Sequence, residues 1–147
     1  MFNPKSILVP TDFSEYSEKA FKQAVEIALM FDSTITLLHV EAPDMEKMTA
    51  LYVAEDKLKE IRENLKKETE ENLRKFIKIS DKSDKVNIKT RIAVGVAYDE
   101  IVKITKNEDY DLIVISSHGK NALETFFYGS TTEKVVRNAR CSVLVVR

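Results

Sequence analysis

The sequence predicts an α/β fold, a doubly wound five-stranded parallel sheet with helices on both faces. Three observations predict it. Five short apolar, β-branched runs recur along 147 residues. Segments with apolar residues at helical spacing lie between them. Strands that alternate with helices form a parallel sheet covered on both sides.

The elements follow in order. Ser6-Ile7-Leu8-Val9 reads as a buried strand ended by Pro10. Asp12 or Ser14 is placed to cap the next helix, where Ala20, Phe21, Ala24, Val25, Ala28 and Leu29 share one face. Thr34 to Val40 is the second strand. Pro43 breaks the chain, and a long amphipathic helix is expected to begin near Asp44. Its apolar stripe runs through Leu51, Ala54, Leu58, Ile61, Leu65, Leu73, Phe76 and Ile77. Its charged residues, including the i,i+4 pair Glu63 and Lys67, read as a solvated face. Ser80 to Lys85 is a polar turn, and Val86 to Val94 is the third strand, ended by Gly95. A short helix runs over Tyr98 to Ile104, and Asp111 to Ser116 is the fourth strand. The loop from Ser117 to Gly129, a helix over Thr132 to Ala139 and a last strand over Ser142 to Val146 complete the chain. No segment marks a domain boundary, so residues 1–147 are expected to form one domain.

Composition narrows the function. Lys and Arg total 23 against 24 Asp and Glu, a net charge of −1, which offers nucleic acid or an anionic membrane no general attraction. No apolar run approaches the roughly 18 residues that span a bilayer. Met1-Phe2-Asn3-Pro4-Lys5 lacks the apolar core of a secretory leader. The lone Cys141 fits a reducing compartment and reads as a buried structural thiol. A cytoplasmic location is expected.

Glycine is the most informative count. There are three, Gly95, Gly119 and Gly129, and two of them bracket one loop. In open α/β sheets ligands sit beyond the carboxyl ends of the strands, where strand order reverses. Those ends carry Pro10-Thr11-Asp12, His39-Val40, Val94-Gly95 and Ser116-Ser117-His118-Gly119. A phosphate needs converging donors and a backbone that comes close, which glycine allows. Ser130, Thr131 and Thr132 bring hydroxyls to the start of the last helix, where free N–H groups and the dipole favour an anion, and Lys120 adds a positive charge. Ser130 and Glu133 also have the S-x-x-E spacing of a capping box, which by itself accounts for a serine there.

His39, at the end of an apolar strand, reads as a satisfied core histidine. His118 has no paired carboxylate or nucleophile to support catalysis. The two histidines and Cys141 do not have metal-ligand spacing. A Walker A sequence is absent, and so are the H-x-G-H and S-G-G-x-D-S signatures of nucleotidyltransferases after the first strand. No catalytic residue is singled out, and at most slow ATP hydrolysis is expected.

Six segments in this order resemble the universal stress protein family, over nearly the whole chain. They are Val9-Pro10-Thr11-Asp12-Phe13-Ser14 with Ala20, Leu37-Leu38-His39-Val40, Val94-Gly95 with Glu100-Ile101, Asp111-Leu112-Ile113-Val114, Ser117-His118-Gly119 with Gly129-Ser130, and Val143-Leu144-Val145-Val146. The resemblance implies a Rossmann-like sheet of the adenine nucleotide alpha hydrolase-like type, a homodimer and a role in stress response. One branch of the family binds ATP through G-x2-G-x9-G-(S/T). Gly119, Gly129 and Ser130 fit that pattern, while Ser116 stands at its first glycine. The Cβ of Ser116 is expected to weaken binding rather than abolish it.

The resemblance implies a site map. Pro10, Thr11 and Asp12 lie near ribose and adenine, and Val40 offers its backbone to the adenine edge. Ser116, Gly119, Gly129, Ser130 and Thr131 hold ribose and phosphates, and Ser117, His118 and Lys120 line the same loop. Asp12 either accepts from a ribose hydroxyl or the adenine amino group, or holds Mg²⁺, or serves only as a helix cap. The expected ligand is ATP, with Mg²⁺ or Mn²⁺ as a companion, and the map assigns no metal ligand. The expected partner is a second copy, paired through Val143 to Val146 at a sheet edge. The competing reading is a nucleotide-free dimer that acts through protein contacts.

Overall fold

The structure is a computed structural model that describes residues 1–43, 51, 53–120 and 129–147. Five parallel strands, β1 (Ser6–Thr11), β2 (Thr34–Glu41), β3 (Asn87–Val94), β4 (Leu112–Ser116) and β5 (Ser142–Val146), form one sheet in the order β3-β2-β1-β4-β5. The helices between them are α1 (Glu15–Phe31), α2 (Glu55–Ile77), α3 (Ala97–Asn107) and α4 (Ser130–Asn138). A single 3₁₀ turn, Ser83–Lys85, precedes β3.

Alternation along the central strands divides the core into two layers. Ile7 and Val9 pack with Ala20, Phe21, Ala24 and Val25 of α1 and with Leu73 and Phe76 of α2. Leu8 and Leu38 face the other way, onto Ile101 and Ile104 of α3 and Val135 of α4. Both faces of β1 are sealed, which is why it reads as an unbroken apolar run. Truncating Phe21, fully buried at the centre of the first layer, would cost about 3–5 kcal/mol.

The strand order reverses between β1 and β4, and the ladder between those strands is short. Backbone polar groups alternate sides along a strand. The Lys5 carbonyl reaches Thr34 N on the β2 side, and the Ser6 carbonyl reaches Asp111 N on the β4 side, both at 2.9 Å. Residues 6, 8 and 10 of β1 therefore face β4. Pro10 has no N–H to give. Pairing between β1 and β4 accordingly covers only Ile7–Leu112 and Leu8–Ile113. On its other side β1 stays in register with β2 as far as Thr11–His39. Pro10 thus lies inside β1 rather than ending it, and opens a crevice at the carboxyl end of the sheet.

Several expected helix ends move; α3 spans Ala97 to Asn107 rather than Tyr98 to Ile104. α2 starts at Glu55, after an extended Ala54 (φ −62°, ψ 151°), so Leu51 (79% exposed) and Ala54 are outside its buried stripe. The expected start near Asp44 lies outside the described residues. Among the described residues, ion pairs on its outer face include Lys57–Glu60 and Glu71–Lys75, and Glu63–Lys67 is not among them. α4 spans Ser130 to Asn138 rather than Thr132 to Ala139. β5 lies at a sheet edge, paired on one side with β4 from Leu112–Ser142 to Ser116–Val146, and its four valine and leucine side chains are half-buried. Among the described residues no helix is long and apolar enough to cross a membrane.

Candidate functional site

Three chain segments meet at the mouth of the crevice: the turn after β1, the loop after β4 and the start of α4. The first is a tight turn made by its own hydroxyls. Phe13 sits in the left-handed region at φ 63°, unusual for a bulky residue. Its N–H is held by Thr11 Oγ1 at 3.0 Å, and Thr11 Oγ1 lies 3.0 Å from Ser17 Oγ. The Phe13 ring stacks on His39 at 4.6 Å between centroids. His39 Nδ1 donates to the Thr11 carbonyl at 2.9 Å, so His39 is the satisfied histidine its strand position implied. The cap of α1 is Ser14, whose Oγ accepts from Ser17 N at 3.2 Å. Asp12 is therefore not the helix cap.

Asp12 instead ties two segments together. Its Oδ1 accepts from Ser14 N at 3.1 Å and Ser14 Oγ at 2.5 Å. Its Oδ2 accepts from the backbone N–H of Lys120 at 2.8 Å, across the crevice. Burial pushes the Asp12 carboxyl up, but the hydrogen bonds from Ser14 and Lys120 outweigh it, and its pKa lies below the ordinary value.

The loop after β4 is anchored from β5 and α4. Ser117 N donates to the Val146 carbonyl at 2.8 Å, and Gly129 N donates to the Ser117 carbonyl at 2.8 Å. Thr132 Oγ1 donates to the Ser116 carbonyl at 2.7 Å. Ser116 and Ser117 are 7% and 1% exposed. Ser117 Oγ lies 2.8 Å from His118 Nδ1, and the His118 ring lies beside Tyr16 at 5.6 Å. The Lys120 ammonium lies 5.9 Å over the Phe13 ring.

The start of α4 departs from the capping-box reading. Gly129, at φ −58° and ψ 150°, is the N-cap, with no side-chain cap bond. Ser130 is the first helical residue and is exposed, and Glu133 pairs with Arg137 at 2.9 Å. The S-x-x-E spacing is present, but its bonds are not made. The orphan N–H groups at this helix end keep their capacity to bind an anion.

Val40 stands one strand away. By the alternation set at Thr34, its N–H and carbonyl face the β1 side, one step past the last register pair. The amide that would meet its carbonyl in a continued ladder is that of Phe13, already held by Thr11 Oγ1. The Val40 carbonyl is thus left without that ladder partner on its β1 side.

The structure brings Pro10, Thr11, Asp12, Ser116, Ser117, His118, Gly119, Lys120, Gly129, Ser130 and Thr131 to one edge, with Val40 at its side. Sequence reasoning missed Ser17 and Phe13, which hold this geometry, and it expected the Thr132 hydroxyl at the anion rather than on the Ser116 carbonyl. The only signal for them was the run of hydroxyls at positions 11, 14 and 17. Among the described residues, no three potential metal ligands cluster. Cys141 is half-buried against the second core layer, and burial pushes its thiol pKa up, as a structural role predicts.

Among the described residues, grooves are also found away from the loop after β4. One of about 580 Å³ is at the opposite, amino-terminal edge, where Arg91 pairs with Glu108 at 2.6 Å and Lys5 bonds the Phe31 carbonyl. Another, about 560 Å³, lies under α2 and touches the crevice only through His39 and Val40.

The sequence model of the universal stress protein family matches residues 3–147. A universal stress protein of Methanocaldococcus jannaschii is 38% identical over 143 residues, 97% of this chain and 82% of that protein. The solved structure of MJ0577, from the same organism, superposes with a TM-score of 0.80 at 33% identity, covering 99% of this chain and 96% of that one. A universal stress protein of Archaeoglobus fulgidus in complex with dAMP shares the fold at 18% identity, with a TM-score of 0.65 and full coverage of both chains. Others of this fold are described with cAMP and with AMP bound.

Proposed function

The chain belongs to the universal stress protein family, and on that premise we propose that it is an ATP-binding regulatory protein of the stress response. The observation that carries this reading is the uncapped start of α4, set against the crevice that Pro10 opens between β1 and β4. A helix of nine residues begins there with a glycine N-cap that brings no side-chain bond to its orphan N–H groups, and the hydroxyls of Ser130 and Thr131 stand beside them. Family members with dAMP, cAMP and AMP bound support an adenine ligand.

In this reading the Val40 carbonyl accepts from the adenine amino group, and Pro10 and Thr11 wall the base. The backbone from Ser116 to Lys120 supports the ribose and the first phosphate, and Gly129, Ser130 and Thr131 take the terminal phosphates. Both oxygens of Asp12 accept hydrogen bonds from Ser14 and Lys120, which orients the carboxylate at the edge of the site. Mg²⁺ or Mn²⁺ would enter with the triphosphate. The protein is proposed to work in the cytoplasm, as a homodimer through the open edge of β5. Nucleotide state would set which partners it meets.

Mass analysis of nucleotide released from natively purified protein, with calorimetry against ATP and Mg²⁺, tests this. Binding at micromolar to sub-millimolar strength is expected, roughly −8 to −5 kcal/mol. Neither released nucleotide nor heat would transfer the function to a nucleotide-free dimer. Ser116, whose side chain stands where the motif has glycine, favours that second reading.

A further inference from the structure

We propose that Asp12 is a positioning residue that fixes the backbone of the phosphate loop across the crevice, and that Gly119 is glycine because the Asp12 carboxylate fills the space of a side chain there. A Cβ built on Gly119 would lie 2.7 Å from Asp12 Oδ2, closer than real Cβ contacts come. The same oxygen holds the next amide, Lys120 N, at 2.8 Å. The carboxylate cannot step back, because Oδ1 is held by Ser14 N and Ser14 Oγ, and Ser14 is itself the cap of α1. The contact joins residues 108 positions apart, the end of β1 and the end of β4. These are the two strands whose ladder Pro10 interrupts, so Asp12 supplies a link where the sheet has none. A bond to an ionised acceptor is stronger than a neutral one, which suits a hydrogen bond that spans a gap.

This assigns Asp12 a task other than touching the nucleotide. Its lone pairs toward Ser14 and Lys120 are used by the protein, and its negative charge is stabilised by N–H and O–H dipoles before a polyanion arrives. The loop that meets the phosphates then sits at a height set by Asp12. The inference rests on the nucleotide reading only for its affinity measurement.

The test is a double-mutant cycle with Gly119→Ala, Asp12→Ala and both together, read by thermal stability and by ATP calorimetry. In the wild-type background Gly119→Ala is expected to lower the melting temperature and to weaken ATP by about tenfold, the scale of one charge-assisted hydrogen bond. With Asp12→Ala in place, the same change is expected to cost nothing further in melting temperature and less than about threefold in affinity. Equal costs of Gly119→Ala in both backgrounds would overturn the proposal. The melting arm decides this even if the wild type binds no nucleotide, so failure of the nucleotide reading is told apart from failure of the Asp12–Gly119 coupling. Amide exchange adds a reading specific to positioning. Asp12→Asn, which keeps the shape but turns a donor or a weaker acceptor toward Lys120, should speed exchange of the Lys120 amide. Affinity lost with Lys120 exchange unchanged would mean that Asp12 meets the ligand directly, and would also overturn the proposal.

Discussion

Gly119 and Gly129 stand at the two ends of one loop, and different pressures hold them to glycine. A side chain at Gly119 collides with the protein's own carboxylate, Asp12 Oδ2, at 2.7 Å. A side chain at Gly129 meets, among the described residues, only the Ser117 carbonyl at 3.6 Å and His118 Cα at 3.9 Å, which is ordinary contact. Gly129 also has a backbone of φ −58° and ψ 150°, open to any residue. So Gly119 is explained by folding, while among the described residues nothing requires glycine at 129. A glycine signature is thus two statements of different weight. The half that speaks for an anion is the half the fold does not require.

The sharpest way to break this contrast is Gly129→Val. The substitution should reduce ATP affinity on the order of 100-fold, because branched carbon would stand where the phosphates approach the helix N–H groups. Its melting temperature should fall by only a few degrees, since replacing a glycine N-cap by valine costs about 1 kcal/mol. Calorimetry and a melting scan on the same sample decide it. Undiminished affinity would remove Gly129 from the site, and a collapse in stability would remove the contrast with Gly119.

Ser116 gives a smaller and opposite effect. It is 7% exposed at the end of β4, and its carbonyl is held by Thr132 Oγ1. Ser116→Gly removes a Cβ from the position of the motif's first glycine and leaves that carbonyl in place. ATP should bind roughly threefold to tenfold more tightly, the relief of a mild overpacking. Stability should fall by about 0.5–1 kcal/mol, because glycine in a strand loses more backbone freedom on folding. Tighter binding with lower stability is a pair of signs that a purely structural serine would not produce. If affinity is unchanged, the loop approaches the ligand from Gly119 onward only.

Much of the fold was legible because burial writes directly into sequence. β1 and β4 are sealed on both faces and show as apolar runs, and α1 shows its stripe from Ala20 to Ala28. The start of α2 was not legible. The helical spacing continues back through Leu51 and Ala54, but both are exposed, so the period alone does not mark where a helix begins. The capping box failed for a related reason. Ser130 and Glu133 have the right spacing, yet Gly129 takes the cap and Glu133 turns to Arg137. Spacing states what a pair can do, and the helix start decides whether it does. The strand ends pointed to the edge where the candidate residues meet, but the bond from Asp12 to Lys120 has no local signal. It depends on two strands being neighbours, and only the sheet order makes them so.

The smallest expected effect concerns pH, and it sharpens the account of Gly119. The pKa of Asp12 is lowered in the folded protein, so between its folded and unfolded values the unfolded chain binds more protons. The stabilisation is therefore present above the ordinary carboxylate value and is lost as pH falls through the lower, folded one. The difference in melting temperature between wild type and Asp12→Asn should be constant near neutrality and shrink in acid, once the native carboxyl is protonated and resembles the amide. Hydrogen bonds from Ser14, Lys120 and Ser17 lower this pKa, with no opposite charge among the causes. The neutral-pH difference should consequently be nearly the same at low and high salt, since screening weakens charge pairs far more than bonds to fixed dipoles. A difference that vanished in salt would mean that Asp12 is held by a cation, and the clash that explains Gly119 would then be an incidental neighbour rather than the reason for it.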